Sequence, residues 1–420
     1  MSLGQAELGG RGDGQMSAGR RWARSGMALL TGDTTPVIPA RDLASRLESL
    51  AVGLDLDLAV FSERAAELGL TRRGMTSANG TARLIEAADG WLVVNLARAD
   101  DLAAVPAWIG CGLDDDPWPA IVRGARRRSA TELAEAGQEL AIPVAVVGGK
   151  CDVQHQNRGG VEGARTQRLT AGRGEAVRAP LVIDLSSLWA GPLCAQLLGL
   201  AGARVVKVES LARPDAARRG PRAFFDRLHA GHESVALDFT TAEGRRQLLR
   251  LIACADVVIE ASRPRALEQL GVELEAAFAA NPALVWVSLT AYGRTGPWRN
   301  RVGFGDDAAA AGGLVVWEGG RPMFVGDALA DPIAGVTAAS AALKALAAGG
   351  GILVDVALRE AAAFVAGADL VPESEQYGVC GGEGGWLWRG RPLAPPAARP
   401  VAGPAATLGA HTVAILAELA

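Results

Sequence analysis

From residue 180 onward, short β-rich apolar runs alternate with stretches of helical period. Val182, Ile183 and Leu185 form the first run. Gly191-Pro192 break it, and proline suits the start of a helix because its missing N–H would be unpaired there anyway. That helix is expected to end near Gly202, and Val205, Val206 and Val208 form the next run, closed by Glu209. Strand, turn, helix and strand in that order make a βαβ unit, which builds a parallel sheet with ligands outside the carboxyl ends of its strands. DVVIE (256–260), LVWVSL (284–289) and ILVDVAL (352–358) read as further buried strands. Thr240 and Glu243 have capping-box spacing for a helix over 241–254. Pro332 opens an alanine-rich helix that stops at Gly349–Gly351. The fold class expected over 179–366 is therefore α/β, a Rossmann-like parallel-sheet domain.

The first third of the chain has a different texture. Residues 1–40 are polar and glycine-rich and read as a flexible leader. Helical patterns around 43–50 and 61–68 follow. GTARLIEAADGWLVVNLARADD (80–101) then reads as a hairpin turning at Asp89-Gly90. A helix over 129–140 and the strand IPVAVV (142–147) complete a small α+β domain, bounded here as 41–150. Residues 151–178 lack periodicity and read as a linker. Residues 367–403, rich in Gly and Pro, read as a connection without room for another domain, and GGEGG (381–385) as a plain flexible loop. Residues 404–420 read as a closing helix that docks on the large domain through Val413, Leu416 and Leu419.

Composition narrows the function. Of 420 residues, 49% are apolar and 21% charged, which is ordinary for a globular protein. The net charge of −4, with no basic stripe carrying interleaved aromatics, argues against nucleic acid as a partner. Five scattered cysteines without a C-x-x-C and four isolated histidines give neither a disulfide framework nor a metal centre. They fit a reducing compartment, the cytoplasm. The most apolar long window, around 332–348, contains Lys344 and is a poor membrane span.

Asp331 is the first candidate for chemistry. Preceding Pro332, it is biased away from the helical region and toward an extended conformation. It is therefore expected as the N-cap of the helix that follows, a role worth about 1 kcal/mol. An ionised carboxylate held by backbone N–H groups and the helix dipole can also attack a thioester carbonyl. Spacing alone favours the cap, because capping aspartates are common and nucleophilic ones rare. Asp327 is a neighbouring carboxylate, and Asp306 and Asp307 read as a helix start.

DLSSLWAGP, AGARVVKVES and Asp215-Ala-Ala-Arg218 resemble the opening of family III CoA-transferases, the CaiB/BaiF group related to alpha-methylacyl-CoA racemases. SVALDF (234–239), CADVVIEASRPRALEQLGV (254–272), NPALVWVSLTAYGRTGP (281–297), GDALADPIAG (326–335) and LGAHTVAILAEL (408–419) resemble later segments of that family, in the same order. The hairpin and strand of 75–150 resemble the family's small domain, which normally follows the catalytic aspartate. Here they precede the large domain.

The resemblance implies a transferase of the EC 2.8.3 type that moves CoA between carboxylic acids. Asp331 would be its nucleophile, passing through a mixed anhydride and an aspartyl-CoA thioester. It implies coenzyme A as a substrate, no metal, an acyl-CoA and a carboxylic acid as partners, and a homodimer. The family's dimer is an interlocked pair of rings, which the altered chain order no longer guarantees. It places CoA near Trp189, Ala190, Gly191, Pro192, Glu209, Arg213, Arg218, Arg263 and Arg265. Trp189 stands where a glutamine is frequent, Ser210 where an arginine is, and Ala261 where an asparagine is. The arginines named would then supply charge for the CoA phosphates. Two alternatives remain open. One is an acyl-CoA racemase or isomerase, although FGDDAAAAGGL (304–314) lacks the histidine that the racemases place there. The other is a non-catalytic CoA-binding paralogue.

Overall fold

β-branched and apolar runs bounded by glycine and proline become the strands of the computed structural model, which describes residues 17–149, 163–172, 179–367, 379–382 and 385–418. A small antiparallel sheet comes first, with β1 (Ala82–Glu86), β2 (Trp91–Asn95) and β3 (Val144–Val146) in that order. The Asp89-Gly90 region closes the β1–β2 hairpin in the register Ala82↔Asn95 to Glu86↔Trp91. Helices Ala99–Ile109, Pro117–Ala125 and Ala130–Glu139 cover one face of this sheet. They bury Val105, Trp108, Ile121 and Leu133 against Leu92, Val94 and Val144.

The principal sheet uses β4 (Ala164–Arg168), β5 (Leu181–Asp184), β6 (Arg204–Ser210), β7 (Glu233–Leu237), β8 (Val257–Glu260) and β9 (Val285–Thr290). A separate hairpin of β10 (Val315–Glu318) and β11 (Arg321–Phe324) precedes its last strand, β12 (Ile352–Ala357). The seven strands lie in the order β4-β12-β9-β8-β5-β6-β7. All pairs are parallel except β4 on β12. Leaving β4 aside, the chain winds outward from β5 in both directions. That is the doubly wound arrangement, and its topological switch point falls between β5 and β8. Val258, Trp286 and Leu251 fill one face, and Val182, Ile259, Val287 and the alanine-rich helix Ala330–Ala347 fill the other.

Several sequence expectations need correction. The leader is not flexible over 17–40: helix Ala18–Arg24 carries Trp22 into the core, and Met27, Leu30, Val37 and Ile38 are buried as well. Five apolar side chains spread through a glycine-rich segment sufficed, which average composition hides. Residues 1–16 lie outside the described residues. The expected linker 151–178 contributes β4, which needs no hydrophobic period because only Ala164 of this edge strand is buried. Of the rest, 151–162 and 173–178 lie outside the described residues.

The connection 367–403 holds a further antiparallel sheet of β13 (Val379–Gly382), β14 (Gly385–Trp388) and β15 (Arg391–Pro392), so Gly381, Gly382 and Gly385 of the GGEGG segment lie in paired strands, while residues 383 and 384 lie outside the described residues. Trp388 packs against Gly19, where a Cβ would fall 2.6 Å from the indole ring. Finally, the cap of helix Ala242–Cys254 is Thr241, whose hydroxyl accepts from the Gly244 N–H at 3.0 Å, while Thr240 donates to Asp238. The box spacing was off by one because two threonines adjoin.

The closing helix, Thr412–Glu418, docks on the large sheet at β7. The buried anchor is Ile415 at 1% exposure, with Leu416 beside it, whereas Val413 is 84% exposed. Two residues apart, Val413 and Ile415 point to opposite sides of the helix, so of the expected contacts Leu416 docks and Val413 does not. Leu419 lies outside the described residues.

Candidate active site

Four aspartates converge where the turn Gly326–Leu329 enters helix Ala330–Ala347. Asp331 is not the N-cap. It lies within the first helical turn, and its N–H donates to Ala328 O at 2.9 Å. Pro332 does not prevent this, because the first N–H groups of a helix have no intrahelical partner to lose. Ala328 takes φ +44°, a conformation that side chains disfavour, and its N–H donates to Asp306 Oδ1 at 2.8 Å. Strain of this kind persists only where surrounding contacts over-determine it.

Helix Gly305–Ala311 brings up the second half of the site. The Gly305 N–H donates to the Asp331 carboxylate. A Cβ at residue 305 would fall 2.5 Å from Asp331 Oδ2, so glycine is what allows this approach. Asp306 Oδ2 accepts from Asn79 Nδ2 at 2.9 Å. Asp307 Oδ1 accepts from Asn95 Nδ2 and from the Phe304 N–H, which ties β2 to the same helix. Asp327 is gripped by Arg64, with Nε to Oδ2 at 2.7 Å and Nη2 to Oδ1 at 2.6 Å. The guanidinium also lies 5.0 Å from the centroid of the Trp189 ring.

Exposure separates these carboxylates. Asp306, Asp307 and Asp327 are 3%, 0% and 0% exposed, and Asp331 alone keeps partial access to solvent. Burial pushes the Asp331 carboxyl up to about 7, Arg64 acting against the rise and Asp306 and Asp327 adding to it. Burial and Asp327 raise Asp306 to about 6, and burial raises Asp307 to about 7. Burial by itself would lower Arg64, but Asp327 more than offsets it and the guanidinium is held firmly charged.

The other candidate residues lie at the carboxyl ends of β5, β6 and β8. Trp189 caps helix Ala190–Leu200, which contains Ala190, Gly191 and Pro192, and all four residues are buried. A side chain at Gly191 would collide with Ser186. Glu209 and Arg218 form an ion pair with each other, with Nε to Oε1 at 2.9 Å. Glu209 also accepts from the Asp215 N–H, and Arg218 stacks on Phe225 and donates to Ala406 O. Both are thus engaged inside the fold. Arg213 and Arg265 are exposed and Arg263 is half-buried. Burial lowers Arg263, and so do the guanidiniums of Arg265, Arg98 and Arg213 around it. Arg98 comes from the start of helix Ala99–Ile109 and is itself bound to Asp101.

Arg64, Asn79 and Arg98 were not candidates from sequence. All three come from the first third of the chain and act across the fold, and no local spacing marks them. Among the described residues, no group of three or more His, Cys, Asp or Glu side chains is arranged to hold a metal, and no helix is long and apolar enough to cross a membrane.

A doubly wound sheet with a carboxylate cluster at a helix start makes this an α/β protein, of the architecture in which ligands bind outside the carboxyl ends of the strands. Residues 180–384 match the model of CoA-transferase family III. It is 37% identical over 201 residues to an acyl-CoA transferase of Fusarium pseudograminearum, covering 43% of this chain and 44% of that one. It is 33% identical over 211 residues to the succinyl-CoA–D-citramalate CoA-transferase of Chloroflexus aurantiacus, covering 47% of this chain and 52% of that one. A solved CaiB/BaiF family protein of Brucella suis is 29% identical, with 50% of this chain and 64% of that chain covered at a TM-score of 0.45. The chain spans about half the length of the curated relatives it matches.

Proposed function

We propose that the protein transfers CoA between carboxylic acids and that Asp331 is its nucleophile. The observation that carries this reading is the selective exposure of Asp331, the one reachable carboxylate of four, within the segment shared with the CoA-transferases. The ionised carboxylate attacks the donor acyl-CoA carbonyl, the C–S bond breaks, and CoA leaves as thiolate. The thiolate then attacks the aspartyl carbonyl of the mixed anhydride, forming an aspartyl-CoA thioester and releasing the donor carboxylate. The acceptor carboxylate attacks that thioester and expels the thiolate again. Attack of the thiolate on the acceptor acyl group completes the exchange and restores Asp331. Splitting one exchange into four addition–eliminations is what covalent catalysis achieves. The Gly305 N–H, aimed at the aspartyl oxygen, is the donor best placed to steady charge that develops there.

The arginines Arg213, Arg263 and Arg265 gather at the ends of β6 and β8 and suit the diphosphate and ribose phosphate of CoA, and Trp189–Pro192 line the floor at the end of β5. The part read as a small domain, 41–150, closes the site from the other side through Asn79 and Asn95. The reading further assigns a homodimer, a cytoplasmic setting and no metal.

The test is a trap. Incubation with an acyl-CoA and hydroxylamine should label Asp331 as the hydroxamate, read by peptide mass spectrometry. An unlabelled Asp331 during demonstrated turnover would sink the mechanism. Because the attacking form is the carboxylate, kcat/KM should fall with unit slope below an apparent value near pH 7. A profile flat from pH 5 to 8 would show another group in control. Arg263→Ala and Arg265→Ala should each weaken CoA by about tenfold or more, the effect of losing a charge-assisted phosphate contact. Calorimetry with CoA decides this, and unchanged affinity removes the residue from the site.

A further inference from the structure

We infer that Arg64 is the positioning residue of the Asp331 carboxylate, fixing the turn that carries it and supplying the cation that offsets its acidic surroundings; this rests on the reading of Asp331 as nucleophile. Arg64 lies outside the segment matched to the family, on the short helix Glu63–Leu68. Both ends of its bidentate grip are defined. Asp327 stands four residues before Asp331, in the turn that contains the strained Ala328. Through Asp327 the guanidinium therefore holds the entry to the helix.

The helix bearing Arg64 is itself fastened. Glu63 is 0% exposed and accepts from Arg399, with Nε to Oε2 at 2.9 Å and Nη2 to Oε1 at 3.0 Å. Glu67 pairs with Arg227, and Ser62 Oγ both donates to Ala397 O and accepts from its N–H at 3.2 Å. The Pro-rich segment 392–404 thus straps this helix down one residue away from Arg64.

Charge makes the same point. The groups that act on Asp331 are Arg64, Asp306 and Asp327. The charged side chains of neighbouring packed helices are directed elsewhere: Arg359 pairs with Glu360, Arg46 donates to Phe364 O and Val365 O, and Glu48 lies 3.8 Å from Arg21. Among the described residues, Asp306, Asp327 and Asp331 therefore share the Arg64 cation. Without it, burial and two like charges would hold Asp331 protonated and unable to attack.

The experiment follows the Asp331 carboxyl by carbon-13 NMR in protein labelled at aspartate, its resonance assigned by its loss in Asp331→Asn. Arg64→Gln should move the Asp331 midpoint upward by about one to three pH units, as removal of a nearby opposite charge does. Arg64→Lys should restore most of the shift. Asp327→Asn should move it downward, because a like charge is lost while the cation stays. The acid limb of kcat/KM should move in the same directions. A purely structural Arg64 would lower activity and melting temperature in both Arg64→Gln and Asp327→Asn while leaving the midpoint in place. Midpoints that stay put, or that move in the same direction in both variants, overturn the proposal. Should Arg64→Gln fail to fold, the Asp327→Asn and Arg64→Lys titrations still decide it. Failure of hydroxylamine trapping would sink the nucleophile and leave these titrations standing, so the two outcomes are distinguishable.

Discussion

Asp331→Asn should abolish CoA transfer and leave the fold as stable as before, or more so. The loss in kcat is expected to be on the order of a thousandfold or more, in the range seen when a covalent nucleophile is removed. No neighbour can take over. Asp306 and Asp327 are buried and already bound to Asn79, Ala328 and Arg64. Stability should not suffer, because the folded state holds this carboxyl near 7 against an ordinary value of 3.8. The sign follows from linkage: the folded protein binds the extra proton between those values, so the native carboxyl weakens folding as pH rises through that window. An amide keeps the acceptor for the Gly305 N–H and removes the penalty, the pattern of an active site that trades stability for function. Retained turnover in Asp331→Asn, or a drop in its melting temperature at pH 8, would contradict the assignment. Asp327→Ala should be the milder change in turnover, and the reverse order would move the nucleophile to Asp327.

The largest effect on stability is expected from Lys207→Met. Lys207 is 1% exposed on β6, and its ammonium lies 3.4 Å from Asp184 and 3.2 Å from Asp215. It also donates to Ser186 O at 2.8 Å. Burial alone would lower this lysine, and the two aspartates with Glu209 reverse that and raise it. Methionine matches the volume but strands two buried carboxylates, a change that costs about 3–5 kcal/mol. The same aspartates hold the turn before Trp189: Asp184 accepts from the Ser186 N–H, and Asp215 accepts from the N–H of Leu188, itself at φ +73°. Denaturant melts should show the loss at pH 7 and a smaller one at acid pH, because burial raises the Asp184 carboxyl and its protonation removes one of the stranded charges. A loss under about 1 kcal/mol at pH 7 would mean that the triad is not a unit.

Much of the large domain was legible because its strands are short apolar runs ended by glycine, proline or a carboxylate. The β5–turn–β6 stretch and the opening of the alanine-rich helix reveal themselves within 30 residues. Asp331 itself could be singled out, though its cap geometry could not, since a turn with a left-handed alanine has no sequence signature. What stayed hidden acts at a distance. Arg64 is one arginine among many until the fold sets it against Asp327, 263 residues away. The family resemblance places Arg218 and Glu209 near CoA, and what the sequence does not display is that they pair with each other. β4 was missed for a related reason: an edge strand with one buried residue has no period to read.

Both margins of the principal sheet are protected, and this bears on solubility. A strand edge with open N–H and C=O groups is a template on which another chain can add. At β7 the C-terminal segment occupies those groups: Ser234 N–H donates to His411 Nδ1 at 3.0 Å, Ala236 N–H donates to Thr412 Oγ1 at 3.0 Å, and His411 N–H donates to Ser234 O at 2.9 Å. At the opposite margin, β4 runs antiparallel and carries Arg165, Gln167 and Arg168, charge that discourages stacking. Loss of the residues beyond 404 would therefore leave the aspartate cluster in place and yet bare a hydrophobic strand to its neighbours. The last helix then serves less as a wall of the candidate site than as a guard against aggregation.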